Sequence, residues 1–97
     1  MSAPPRTDVV LDRAAGLVRA SGHLTRQGAD LLRGAAEGLR GEGHATVLLD
    51  LRGVVATDEG AREVLRELAG DLAAAGVRLL VREPGGSPAV TPPAART

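Results

Sequence analysis

The sequence predicts a small α/β domain, a mixed β-sheet flanked by helices, and three observations lead to this class. The chain has 97 residues, a length that suits one hydrophobic core. Short apolar runs typical of strands alternate with longer amphipathic segments. Two of the longer segments have the apolar spacing of helices, about 3.6 residues per turn. The predicted order is β-β-α-β-α-β.

The first half of the chain predicts a hairpin followed by a helix. Residues 8–11 and 17–21 have the composition of short strands, and the turn between them contains Ala14, Ala15 and Gly16. Thr25 is the expected N-cap of a helix over residues 27–40. The apolar positions of that helix follow the spacing i, i+3, i+4, i+7: Leu32, Ala35, Ala36 and Leu39.

The second half predicts a strand, a helix and a last strand. Residues 45–51 are apolar nearly throughout, which is typical of a strand covered on both faces by helices. The strongest amphipathic helix runs from Asp58 to Ala75, Gly76 is its C′ stop, and residues 77–81 form the final strand. The expected buried stripe of that helix is Ala61, Val64, Leu65, Leu68, Leu72 and Ala75.

The two ends of the chain differ in composition from the middle. Residues 1–7 contain two prolines and predict a flexible leader, and residues 84–97 are rich in Pro and Gly and predict a flexible tail. The domain is therefore expected over residues 8–83. The chain lacks an apolar run of about 18 residues and a signal-peptide core, so we expect a cytoplasmic protein without membrane insertion.

Composition and charge exclude several classes of function. Twelve basic residues, all Arg, balance twelve acidic ones, which argues against a nucleic-acid binder. The absence of Cys excludes thiolate zinc sites and cysteine nucleophiles, and the absence of Lys excludes a Walker A loop. The glycine-rich segment 41–46 precedes a strand instead of following one, so we interpret it as a turn. These observations predict a chain without catalytic residues, metal or cofactor.

Several polar residues are candidates for a functional site. His23 and His44 lie in separate turns without metal-ligand spacing, so surface positions are expected, and a metal shared with Asp50 or Asp58 is the alternative. Asp58 and Glu59 are interpreted as a helix cap and a first-turn acid. An enzyme using this pair as acid and base is another alternative, which would need a pocket. Asp50 interrupts an apolar strand and is expected to face solvent or to accept hydrogen bonds from backbone amides.

Two segments resemble the signature regions of STAS domains, the bacterial anti-sigma factor antagonists and their relatives. Residues 49–65 read LDLRGVVATDEGAREVL, and the family pattern there is Leu-Asp-Leu-Ser-Gly-Val followed by Asp-Ser-Ser-Gly and an apolar helix. Residues 18–25 read VRASGHLT and resemble the family's strand that leads into Gly-Glu-Leu-Asp. The resemblance covers about residues 8 to 83, and the predicted element order matches it. The family's C-terminal helix has no apolar counterpart, so the fold is expected to be shortened at its C-terminus.

The resemblance carries over to individual positions only in part. Without gaps, Asp58 takes the position of the family's Asp, Glu59 that of the phosphorylated serine, Gly60 that of the second serine and Ala61 that of the glycine. A shift of one residue instead places Thr57 at the Asp and Asp58 at the phosphorylated serine. The ungapped alignment is preferred because it keeps the spacing from the preceding Gly-Val. In either alignment an acid replaces the phospho-acceptor.

The resemblance implies a non-catalytic protein-binding regulatory domain in transcription control. In the first loop, Thr25 replaces the family's Asp and His23 replaces its Glu. The implied partner is an anti-sigma factor kinase-like protein; the alternative is an accessory subunit that docks on a transporter ATPase or another complex, and a homodimer is compatible with both. The residues expected to form the partner-binding switch loop are Thr25, Thr57, Asp58, Glu59, Gly60, Ala61 and Arg62.

Overall fold

A computed structural model describes residues 6–83 and 88–89 of the chain, and it confirms the predicted α/β class. It contains five strands and two helices. Their bounds are β1 Thr7–Asp12, β2 Leu17–Leu24, α1 Arg26–Gly41, β3 Thr46–Thr57, α2 Glu59–Ala74, β4 Arg78–Arg82 and β5 Pro88–Ala89.

The predicted leader and tail are only partly described. Residues 1–5, 84–87 and 90–97 lie outside the described residues, so most of both predictions does too. Thr7, which was assigned to the leader, begins β1. Pro88–Ala89, assigned to the tail, pairs antiparallel with β4, in the register Val81 with Ala89. An edge strand tolerates a proline because one side of its backbone needs no ladder hydrogen bonds.

The five strands follow the chain order across the sheet. β1 pairs antiparallel with β2, the three strands β2, β3 and β4 are parallel, and β5 returns antiparallel. Both parallel connections step by one strand in the same direction, through α1 and then α2. Since such crossovers are right-handed, both helices lie on the same face of the sheet. Arg33 of α1 joins them through ion pairs to Glu67 at 3.2 Å and Asp71 at 2.9 Å.

Local sequence signals place the turns and helix ends as predicted. The hairpin turn uses Gly16 at φ +67°, and the side chain of Asp12 accepts a hydrogen bond from the Ala15 amide at 3.1 Å. Thr25 caps α1, since its hydroxyl accepts from the Gly28 amide at 3.0 Å. Gly76 follows α2 with φ +79° and turns the chain into β4.

The hydrophobic core lies between the two helices and the sheet. Leu68 and Leu72 of α2 are fully buried there, whereas Leu65 is half-buried and Ala75, the C-cap, is exposed, contrary to the predicted stripe. The buried apolar residues are Val18, Ala20, Leu24, Ala29, Leu32, Ala36, Leu39, Val47, Leu49, Leu51, Val54, Ala61, Val64, Leu68, Leu72 and Val77.

β3 differs from its prediction in length and in surroundings. It continues through the expected loop to Thr57, because its second half pairs with β2 past two register irregularities. A Cβ at Gly53 would lie 2.9 Å from the Ser21 Cβ, so glycine permits this close approach of the strands. The prediction that helices cover both faces is wrong for the described residues, since both helices pack on the side of Val47 and Leu49.

The other side of the sheet, called the open face here, is covered by none of the described helices. In β3 it carries Leu48, Asp50 and Arg52, and in β4 it carries Arg78, Leu80 and Arg82. Leu48 and Leu80 are half-buried neighbours across the strands. Because these two leucines shield each other from solvent, β3 can be apolar along most of its length without a second layer of helices.

Asp50 is the one buried charged residue among the described residues, at 2% exposure. Its carboxylate accepts from the Arg52 amide at 3.1 Å, from Arg52 Nη2 at 2.9 Å and from Arg19 Nε at 3.3 Å. The expected backbone hydrogen bond is therefore present, but the carboxylate does not face solvent. The hydrogen bonds from Arg52 lower the pKa of Asp50 far below its usual range, although burial opposes them. Asp50 thus ties β2 to β3.

Candidate functional site

The predicted switch loop lies where β2 and β3 end and the two helices begin. Leu24 and Thr57 are register partners, and the Asp58 amide donates to the Leu24 carbonyl at 3.0 Å. These contacts bring Thr25, which follows Leu24, next to Thr57 and Asp58. A Cβ at Gly60 would lie 3.3 Å from the side chain of Arg26, so the first turns of α1 and α2 also touch. The two STAS-like segments therefore meet at one edge of the sheet.

Asp58 occupies the N-cap position of α2, but its side chain makes no capping hydrogen bond. Instead, His23 Nε2 donates to Asp58 Oδ1 at 2.8 Å. Asp58 is therefore the N-cap, as predicted, but its carboxylate is bound by the imidazole at the end of β2 and not by the amides of α2. His23 is about one-third exposed and Asp58 half exposed, so partner residues have access to this pair.

The other switch-loop residues divide into exposed and buried ones. Glu59 is exposed in the first turn of α2, as predicted, and Arg62 is exposed one turn later. Ala61 is fully buried in the core, so its assignment to the partner-binding surface is wrong. The reason is the 3.6-residue period of α2, which aligns Ala61 with Val64 and Leu68. Gly60 and Thr57 are half-buried.

Sequence reasoning missed Val55 as a surface residue. Its side chain is 84% exposed, more than any other large apolar side chain described. It precedes the switch loop on the extended part of β3, next to the exposed Ala56. The Val54–Val55 pair after Gly53 could have indicated this exposure. If that segment is a strand, successive side chains point to opposite faces, so Val54 is buried and Val55 is exposed.

A surface groove of about 420 Å³ runs beside α2, on the side of the helix away from α1. Arg62 and Arg66 of α2, together with Thr57 and Glu83, supply its polar lining. We call it the α2–β4 groove, and its apolar lining is Leu49, Leu51, Val54, Leu65, Ala69, Leu79 and Val81. Thr57 and Arg62 belong to both the groove and the switch loop, so the two surfaces are continuous.

The remaining candidates do not converge on one centre. Asp58 and Glu59 do not line the groove. His44 Nε2 donates to the Arg13 carbonyl at 2.7 Å, far along the sheet from His23. Among residues 6–83 and 88–89, no group of three or more His, Asp or Glu side chains is placed to hold a metal ion. Neither α1 nor α2 is long and apolar enough to cross a membrane.

The fold and this edge define a small α/β domain with an exposed loop and an adjoining groove. Comparison with known proteins adds a structural relative: a solved structure described as "Crystal Structure Analysis of Mglu" is similar with a TM-score of 0.63 and 28% identity. The similarity covers 78% of this chain but 19% of that one, so the chain spans about a fifth of its relative. No family model and no curated protein match the sequence.

Proposed function

We propose that the chain is a non-catalytic protein-binding regulatory domain of the STAS type, acting in the cytoplasm like a bacterial anti-sigma factor antagonist. The observation that carries the proposal is the exposed edge that unites the two STAS-like segments. Val55, the His23–Asp58 pair and Glu59 are each exposed in the segments that meet there. An apolar side chain among charged ones suits contact with a protein partner.

Glu59 gives this surface a fixed charge. A phosphoserine at the start of a helix carries about −1.5 to −2 charges, and Glu supplies one unit on a longer side chain. The helix N-terminus stabilises either anion. In the STAS family the phosphorylated form releases the anti-sigma partner. Glu59 therefore holds this chain nearer to the released form, and binding to an anti-sigma factor kinase-like protein is weak until that charge is removed.

The second candidate is an accessory subunit that docks on a transporter ATPase. It is favoured by the lack of an acceptor hydroxyl at position 59, since a permanent subunit needs no phosphorylation switch. Both candidates use the same edge of the sheet. They differ in the fold of the protein that is bound, and a second copy of this chain is a third potential occupant of the edge.

The test begins with co-purification of the tagged chain from native lysate and mass spectrometry of the bound proteins. A histidine-kinase-like ATPase supports the first candidate and an ABC-type ATPase supports the second. Titration calorimetry with the purified partner then compares Glu59→Ala and Glu59→Ser with the wild type. The matched control is Glu63→Ala, which removes another exposed acid one turn along α2.

The switch proposal expects both Glu59 variants to bind about tenfold or more tightly, because a charge clash at the contact is relieved. The Glu63→Ala control should bind like the wild type. If the Glu59 variants lose only a few tenths of a kcal/mol of stability and bind unchanged, Glu59 merely complements the dipole of α2. Phosphate on Thr57 after incubation with a kinase partner and ATP would also contradict a fixed switch.

A further inference from the structure

We infer that the α2–β4 groove receives an amphipathic helix with acidic flanking residues, supplied by the partner protein. The inference rests on the proposed function, since it assumes that the chain binds a protein. It adds a second contact to the switch loop and states the chemistry of the segment that occupies it.

The shape of the groove fits a third helix in the helical layer. α1 and α2 pack side by side on the sheet, and the groove continues that layer on the side of α2 that no other described helix covers, above Leu79 and Val81 of β4. Neighbouring helices lie about 8–10 Å apart, so a docked helix would rest on these two half-buried side chains. The groove wall from Arg62 to Ala69 is about 10 Å long, or two helical turns.

The distribution of charge on α2 selects an acidic occupant. Arg62 and Arg66 stand one turn apart on the groove side, and neither has a carboxylate partner among residues 6–83 and 88–89. Glu67 and Asp71 of the same helix instead pair with Arg33 on the α1 side. The groove wall is therefore basic, with Glu83 as the single acid among the described lining residues.

The occupant is expected to be a helix and not a small anionic amphiphile. The described residues leave the groove open along one side, so a single acyl chain would remain partly exposed there. A helix covers Leu65, Leu79 and Val81 with one apolar stripe and presents acidic residues to Arg62 and Arg66 beside it. Helix-in-groove recognition uses anchors at i, i+3, i+4 and i+7, and two turns match the groove length.

The test titrates two synthetic helical peptides, about 14 residues and roughly four turns long, into the ¹⁵N-labelled full chain. Both carry the same leucine stripe, flanked by Glu in one and by Lys in the other. The Glu peptide should shift the amide resonances of Leu65, Ala69, Leu79 and Val81. In the Arg62→Glu/Arg66→Glu double variant it should bind about tenfold or more weakly, and the Lys peptide should bind better. Both substitutions are at exposed positions, so the fold is retained.

The matched control is Arg78→Glu, which reverses an exposed arginine on the open face of β4. It should leave Glu-peptide binding unchanged. Equal affinity for both peptides, resonance shifts centred on Leu48 and Leu80 of the open face, or the absence of any binding would overturn the inference. So would dodecanoate saturating the groove while neither peptide binds.

The two proposals fail separately. If the Glu59 variants change binding of the purified partner but no peptide enters the groove, the inference about the groove is wrong and the proposed function stands. If the Glu peptide enters the groove while no protein partner is captured, the proposed function is wrong and the groove belongs to another role.

Discussion

His23 Nε2 lies 2.8 Å from Asp58 Oδ1, and this hydrogen bond joins the end of β2 to the residue that precedes α2. The contact spans 35 positions of the chain. It also diverts the Asp58 carboxylate from the amides of α2, which leaves the helix without a side-chain cap. The N-cap residue of α2 is therefore held by the neighbouring strand β2, through its amide and its carboxylate, and makes no side-chain hydrogen bond to the helix.

A double-mutant cycle should measure this contact. His23→Ala and Asp58→Ala should show a coupling free energy of about 0.2–1 kcal/mol, because both side chains are partly exposed and solvent weakens their interaction. Urea unfolding of the wild type, both single variants and the double variant gives the value. His44→Ala is the control, since His44 contacts a carbonyl, and it should show no coupling with Asp58. Zero coupling for His23 would mean that the contact does not persist in solution.

The buried carboxylate of Asp50 makes stability depend on acid pH. Its pKa is lowered in the folded chain, first by the hydrogen bonds from Arg52, so Asp50 stabilises the fold above its unfolded pKa of about 3.9. That contribution is lost as the pH falls from this value toward the folded pKa. We expect the unfolding free energy of the wild type to fall more steeply below about pH 4 than that of Asp50→Asn.

Urea unfolding at successive pH values between about 6 and 2 checks this expectation. Near neutral pH, Asp50→Asn should cost roughly 1–3 kcal/mol, since hydrogen bonds to a buried charge are weakened. Asp30→Asn is the control, because Asp30 is exposed on α1 and has no ion pair among the described residues. If Asp50→Asn and the wild type share one pH slope, the Arg52–Asp50 pair does not act as described.

Most of the fold follows from local patterns, whereas the errors come from contacts between distant segments. The periodicity around Leu32 and Leu68 and the cap at Thr25 suffice for both helices. The sequence predicts that β3 ends at residue 51, because glycine at position 53 is typical of a turn. In the structure, Gly53 instead permits a close approach to Ser21 of β2, and the strand continues. Apolarity alone does not distinguish a strand covered on both faces from one whose leucines cover each other.

The sequence predicts which residues belong to the candidate site, but it does not predict the contacts between them. The resemblance placed Thr25 and Asp58 in the same surface, and the register of β2 and β3 brings them together. The His23–Asp58 hydrogen bond was not foreseen, because no sequence pattern pairs residues so far apart in the chain. Ala61 was assigned to the surface by alignment although its helical phase buries it.

Two neighbouring leucines of α2 should differ in their importance for stability. Leu68 is fully buried, and Leu68→Ala should cost about 2–5 kcal/mol because it leaves a cavity. Leu65 is half-buried at the α2–β4 groove, and Leu65→Ala should cost roughly 1–2 kcal/mol, since the site already borders solvent. Chemical denaturation followed by circular dichroism gives both values. Equal losses would show that the groove closes over Leu65 in solution.

The glycines of α1 should respond in opposite ways to alanine. A Cβ at Gly28 would overlap the hydroxyl of Thr7, which donates to the His23 carbonyl at 2.7 Å and accepts from the Thr25 amide at 3.1 Å. Gly28→Ala must displace this hydroxyl, so it should destabilise the protein although alanine favours helix by about 1 kcal/mol. Gly34 and Gly38 face open space in the same helix.

Gly34→Ala and Gly38→Ala should each raise the unfolding free energy by about 0.5–1 kcal/mol, because alanine has less backbone freedom to lose on folding. Thermal and urea unfolding of the three single variants measure the contrast, which is internally matched because the substitution and the helix are the same. A stabilising Gly28→Ala would mean that Thr7 does not pack against α1. If that variant also left the amides of His23 and Thr25 unshifted in the NMR spectrum, the link from β1 to the start of α1 would be absent.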